Sequence, residues 1–88
     1  MSAKYVQLRN QLTELLRMPT SDKLSLLAWF DEAQRLMRFV REERLEVPPF
    51  VHQWLAGADA RAKDPLRAAT ENAELVKYLH ALTEQVKE

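Results

Sequence analysis

The sequence predicts an all-α domain, and three observations support this class. Glycine occurs once in 88 residues, whereas the tight turns between β-strands usually need glycine for its positive φ. The abundant residues, among them leucine, alanine, glutamate and arginine, are good helix formers. Apolar residues also recur at steps of three and four, as they do on one face of a helix. We expect a single domain over residues 1–88, a small four-helix bundle-like fold with three main helices, one short helix and a long second helix.

The first helix is predicted over residues 3–17 and the second over residues 22–44. The first ends at Met18-Pro19, because a residue before proline is pushed out of the α region. The second starts within Thr20-Ser21-Asp22, a cluster of N-capping side chains. Since the connecting loop is short, we expect these two helices to form an antiparallel hairpin.

The third helix is short, covering residues 49–56, and starts at Pro49, which suits the first position of a helix. Gly57 follows, where we expect a left-handed C-terminal cap. Residues 58–63 lack a large apolar side chain, so we interpret them as a connection, or as a solvated helical turn if that cap fails. Asp64-Pro65 then caps the fourth helix, residues 65–86. Its spine repeats at steps of four and three and comprises Ala68, Asn72, Leu75, Leu79, Leu82 and Val86.

The sequence offers few residues for catalysis or metal binding. Cysteine is absent, and the two histidines, His52 and His80, lie in different helices with no surrounding motif. One glycine cannot build a phosphate-binding loop, and no spacing on one helix would hold a metal ion. We therefore predict that the protein is not an enzyme and has no catalytic residue, metal or cofactor. Each histidine is interpreted as a partly buried ring on a helix face.

Charge and hydropathy predict a cytoplasmic protein with no membrane partner. The formal net charge is zero, from 13 basic and 13 acidic side chains. No apolar run approaches the ~20 residues that a bilayer span needs, and the N-terminus lacks the apolar region of a secretory signal. The absence of cysteine is compatible with a reducing compartment.

A basic face on the second helix defines one candidate site. Its members recur every three residues and are Arg35, Arg38, Arg41 and Arg44. Asp31 and Glu42 each lie four residues from one of these arginines, so two of the four have an ion-pair partner available on the helix. Because the chain has no overall surplus of cations to displace counterions from phosphates, we keep a nucleic-acid-associated regulator as the less favoured alternative.

The spine of the last helix defines the other candidate site. An asparagine at a core-type position, here Asn72, can fix the register of a dimeric coiled coil. The preferred interpretation is that the spine leucines pack within the monomer and that Asn72 lies at the rim of the core. The candidate interface residues are Phe39, Asn72, Leu75, Tyr78, Leu79 and Leu82.

Four apolar residues lie off the main stripe of their helices and suggest a second buried surface. These are Phe39 and Tyr78, together with Leu24 and Leu27 at the start of the second helix. One thin core would not use all of them, and aromatic residues are favoured in interface cores. We therefore expect a protein–protein interaction module that forms a homodimer and also binds another protein, and we expect Phe39→Glu to dissociate the dimer.

Overall fold

The computed structural model describes residues 3–86, so the predicted domain extends beyond the described range at both ends. The elements are α1 (Ala3–Arg17), α2 (Lys23–Glu42), α3 (Pro49–Ala56), α4 (Ala58–Lys63) and α5 (Pro65–Val86). The all-α prediction is confirmed, because residues 3–86 are 84% helical and contain no strand. The bounds predicted for α1, α3 and α5 agree with the structure.

The predicted caps before α2 and α5 are present. Asp22 accepts a hydrogen bond from the backbone N–H of Ser25 at 2.7 Å. Asp64 accepts from the N–H groups of Leu66 and Arg67 at 3.1 and 3.2 Å. These carboxylates satisfy backbone donors that have no partner inside their own helix.

The end of α2 differs from the prediction. The helix stops at Glu42, and Arg44 adopts a φ of 54° in the left-handed region. Leu45 N–H donates to Val40 O at 3.0 Å, and Arg44 N–H donates to Arg41 O at 3.3 Å. These two bonds form a Schellman motif, in which glycine usually occupies the left-handed position. The sequence could not indicate this end, because an arginine occupies that position.

The prediction for Gly57 was wrong. Gly57 has a φ of −93°, outside the left-handed region, and α4 begins at the next residue. Arg61 N–H donates to Gly57 O at 3.0 Å, so the helical hydrogen-bond pattern resumes at once. Residues 58–63 form the helical turn expected when that cap fails, but the turn is not fully solvated, because Ala58 and Arg61 are buried. A Cβ at Gly57 would lie 3.1 Å from Gln53 O, so a larger residue would require a small shift of that backbone.

The helices pack around one core, and α1 and α2 form the predicted antiparallel hairpin. Trp29 Nε1 donates to Leu15 O at 2.8 Å at one end of the pair. At the other end, Tyr5 Oη accepts from the Glu46 N–H at 3.0 Å. Helix α5 covers α1, and α3 and α4 close one side. The most deeply buried large side chains are Trp29, Leu8, Leu12, Leu36, Leu75 and Val51.

Candidate functional site

An open groove of about 480 Å³ lies between α2 and α3. Its lining residues on α2 recur at helical steps and form one stripe about 16 Å long, at a rise of about 1.5 Å per residue. The other wall is formed by His52, Leu55 and Ala56 of α3, so the α2 stripe faces an open space at this groove. The lining residues are Phe30, Ala33, Gln34, Met37, Arg38, Arg41, His52, Leu55 and Ala56.

The floor of the groove is apolar. Ala33 and Leu55 are almost fully buried, and Phe30 and Met37 are partly buried against the same core. The side chains of Phe30 and Met37 therefore have their inner sides packed and their outer sides turned to the groove. This arrangement leaves apolar area that a further molecule could cover.

The rim of the groove is polar and carries two unpaired cations. Gln34, Arg38, Arg41 and His52 are all exposed. Among residues 3–86, neither the Arg38 nor the Arg41 guanidinium makes an ion pair or hydrogen bond. The Arg38–Glu42 pair that the spacing allows does not form within this range. No acidic residue lines the groove, so Arg38 and Arg41 give its lining a net positive charge.

The four arginines of the predicted basic face occupy different environments. Arg35 pairs with Asp31 and with Glu32, each at 3.1 Å, so its charge is compensated on its own helix. Arg44 lies in the turn that ends α2. The structure thus brings Arg38 and Arg41 together at the groove and leaves Arg35 and Arg44 outside its lining.

The candidate interface residues all take part in the packing of the single chain. Leu75, Leu79 and Leu82 are 0, 7 and 2% exposed and belong to the core. Phe39 and Tyr78 are partly buried against that core. Asn72 is also partly buried and accepts a hydrogen bond from Trp54 Nε1 at 2.9 Å. The side chain of Val86, the last member of the predicted spine, lies outside the described part of the structure.

Large apolar side chains are exposed elsewhere, as two of the off-stripe positions predict. Leu24 is 80% exposed and Leu27 is 58% exposed, both in the first turns of α2. Leu66, in the first turn of α5, is 82% exposed. These three leucines are therefore more exposed than Phe39 and Tyr78, which are both partly buried.

A buried arginine in α4 is the feature that sequence reasoning missed. Arg61 is 8% exposed, and its guanidinium carbon lies 4.3 Å from the Trp54 ring centroid and 5.7 Å from that of Trp29. Its Nη1 donates to Trp54 O and, at 3.2 Å, to Glu71 Oε1. Glu71 Oε2 accepts from Arg67 Nε at 2.6 Å. The available signal was an arginine in the alanine-rich segment 58–63 of a chain with two tryptophans, but no spacing rule connects the three residues.

Two cations share one carboxylate in this cluster, because Arg61 and Arg67 both contact Glu71. Hydrogen bonds from Arg67, and then from Arg61, hold the pKa of the Glu71 carboxyl below its usual value despite the opposing effect of burial. Burial lowers the pKa of the Arg61 guanidinium, and the contact with Glu71 opposes that shift. The cluster links α3, α4 and α5, and it holds no nucleophile beside a general base.

The histidines do not occupy the predicted partly buried positions. His52 lines the groove and His80 lies on α5, and both side chains are exposed. Within residues 3–86, no three histidine, aspartate or glutamate side chains group closely enough to hold a metal ion. No helix in this range is long and apolar enough to cross a membrane. Comparisons of the chain with protein-family models, curated proteins and solved structures found no match.

Proposed function

We propose that this protein is a non-catalytic protein–protein interaction module whose binding site is the groove between α2 and α3. The proposal is supported by an apolar floor bordered by two guanidinium groups that have no partner among residues 3–86. Aromatic residues, methionine and arginine are the side chains enriched in protein interfaces, and the groove presents all three as Phe30, Met37 and the pair Arg38 and Arg41.

The chemistry of the lining favours binding over catalysis. Of the nine lining residues, only His52 has a side chain of a type that enzymes commonly use as a general acid or base. A catalytic site needs at least a reacting group, a partner that activates it and a donor that stabilises developing charge. The groove supplies one histidine and two arginines, which fit recognition of an anion better than catalysis.

Nucleic acid binding is the second candidate, and the unpaired Arg38 and Arg41 favour it. The apolar floor favours a protein partner instead, because contacts between a phosphate backbone and the side chains of Phe30, Met37 and Leu55 would add little affinity. Two cations also neutralise few phosphates, whereas affinity for duplex DNA grows with the number of phosphates contacted.

Self-association belongs to the same proposal and is supported by a different surface. Leu24 and Leu27 are three residues apart and strongly exposed. A twofold dimer that buried this pair would gain about 1.5–3 kcal/mol for each leucine fully covered. Phe39 is a poor probe of such a dimer, because it already packs against the core of its own chain. We place the module in the cytoplasm, in keeping with a chain that lacks cysteine.

Site-specific photo-crosslinking tests the binding site. A benzophenone side chain replaces Gln34 on the groove rim, and the matched control replaces Gln7, an exposed glutamine of α1 outside the groove. The proposal expects a discrete adduct from position 34 that is unaffected by nuclease, and none from position 7. Equal adducts from both positions, or adducts that nuclease shortens, would contradict it.

Light scattering tests self-association. The chain has a mass of 10.3 kDa, and we expect twice that mass in solution at both low and high salt. The double variant Leu24→Lys with Leu27→Lys should become monomeric, whereas Leu66→Lys, at an equally exposed leucine, should stay dimeric. A monomeric wild-type chain, or a double variant of unchanged mass, rules out this dimer.

A further inference from the structure

We propose that the groove binds an amphipathic α-helix of another protein, with carboxylates at the end of the helix that meets Arg38 and Arg41. This inference rests on the proposed function and specifies the chemistry of the partner. The lining residues, their burial and their charge each restrict what can occupy the groove.

The walls of the groove require a partner that satisfies its own backbone. Both walls are α-helices, whose backbone N–H and C=O groups are already bonded within the helix. They offer no strand edge with which an extended peptide could pair. A segment covered by this groove must therefore bond its own backbone groups, since buried unpaired groups are costly, and an α-helix does so.

The dimensions of the groove fit about three turns of helix. The α2 stripe runs from Phe30 to Arg41, about 16 Å at the rise of an α-helix. A partner helix lying along it would present apolar side chains at positions i, i+3 or i+4, and i+7. Phe30 and Met37, seven residues apart on this stripe, and Leu55 on α3 would receive them. The unbranched thioether of Met37 can adapt to partners of different shape.

The charge on the rim determines which end of the partner is acidic. Arg38 and Arg41 both lie at the C-terminal end of the α2 stripe, while the N-terminal end is lined by Phe30 and Ala33. No lining residue is acidic, and neither guanidinium has a partner among the described residues. A guanidinium matches a carboxylate with paired hydrogen bonds. Such rim contacts orient a partner, while the apolar floor supplies most of the affinity.

Selection from a peptide library tests the inference with the full chain. The probe is a displayed library of helix-forming peptides of about 18 residues, long enough to cover the groove, with randomised apolar and charged positions. We expect enrichment of sequences that combine apolar anchors at helical spacing with Asp or Glu at one end. The best peptide should bind the Arg38→Ala, Arg41→Ala double variant about tenfold more weakly, from two solvent-accessible ion pairs.

Matched variants separate the chemistry of the partner from the location of the site. Arg35→Ala is the control, because Arg35 is on the same helix but already paired, and it should leave the affinity unchanged. Gln34→Glu should lower the affinity for the acidic peptide by like-charge repulsion. It should not alter packing, since Gln34 is exposed. The melting temperature of each variant verifies that it is folded.

Three outcomes would overturn the inference, and they differ in what else they overturn. Groove binders without acidic residues, or with equal affinity for the double variant, contradict the acidic partner but keep the groove as a protein-binding site. A selected peptide that forms no adduct with a benzophenone side chain at position 34 shows that the groove is not the site, and the proposed function fails with it. Salt-sensitive binding of a DNA duplex that competes with the peptide replaces the protein partner with nucleic acid.

Discussion

The guanidinium of Arg61 stacks on the ring of Trp54, 4.3 Å from its centroid, and donates a hydrogen bond to the backbone carbonyl of the same tryptophan. The contact folds α4 back onto α3, and the Arg61–Glu71 pair extends it to α5. Because Arg61 is 8% exposed, its charge relies on these partners in place of water. One side chain thus holds three helices together.

We expect Arg61→Ala to lower the free energy of unfolding by about 2–3 kcal/mol, because it removes hydrogen bonds of a charged group and a cation–π contact. Urea titration followed by tryptophan fluorescence measures the change. Lys63→Ala is the matched control in the same helix, where the side chain is 77% exposed, and it should cost less than about 0.5 kcal/mol. Equal urea midpoints for the two variants would show that the cluster does not stabilise the fold.

Glu71 should make the stability of the protein dependent on pH in acid. Its pKa in the folded protein is below the usual 4.5, so its contribution is present above the unfolded-state pKa and is lost as pH falls through the folded-state pKa. The stability difference between wild type and Glu71→Gln should therefore be largest at neutral pH and should shrink below about pH 4.5. Urea titrations at a series of pH values measure it.

The matched control for Glu71 is Glu74→Gln on the same helix. The Glu74 side chain is 60% exposed and lies 3.6 Å from Lys77, so its loss at neutral pH should cost less than about 0.5 kcal/mol. A stability difference for Glu71→Gln that stays constant from neutral pH into acid would contradict the role assigned to the Glu71 charge.

Asn72 should act within one chain. Its Oδ1 accepts from Trp54 Nε1, and Asn72→Ala leaves that partly buried indole N–H without its acceptor, at a cost of about 1–2 kcal/mol. The exposed Asn10 provides the control, because Asn10→Ala should have little effect. Light scattering on the same samples should give equal masses. Loss of a dimer in Asn72→Ala alone would support a register-setting role between chains instead.

Arg44→Gly should stabilise the protein by about 1 kcal/mol, because the left-handed conformation of Arg44 strains any side chain with a Cβ. Arg44→Ala is the control: it also removes the guanidinium but keeps the Cβ, so it should bring no such gain. Thermal unfolding compares the two variants. Equal gains from both would assign the effect to the charge of Arg44 and not to its backbone.

The sequence alone determined most helix boundaries and much of the core. Helix ends are set by prolines and capping carboxylates that act on neighbouring backbone groups. Their effect is local and can be predicted from the adjacent sequence; these residues are Pro19, Asp22, Pro49, Asp64 and Pro65. The spacing of apolar residues at three and four positions likewise predicted the stripe that contains the buried residues Leu75, Leu79 and Leu82. Such signals need no knowledge of what packs against them.

The tertiary structure alone decided the features that depend on neighbours far along the chain. Arg61 is buried because Trp54 and Glu71 meet it from two other helices, and no local pattern distinguishes it from an exposed arginine. The groove lies between α2 and α3. Arg38 and Arg41 are three residues apart in sequence, but only the fold places both beside an apolar floor. Burial and charge compensation are properties of contacts between distant segments, whereas helix formation is set largely by adjacent residues.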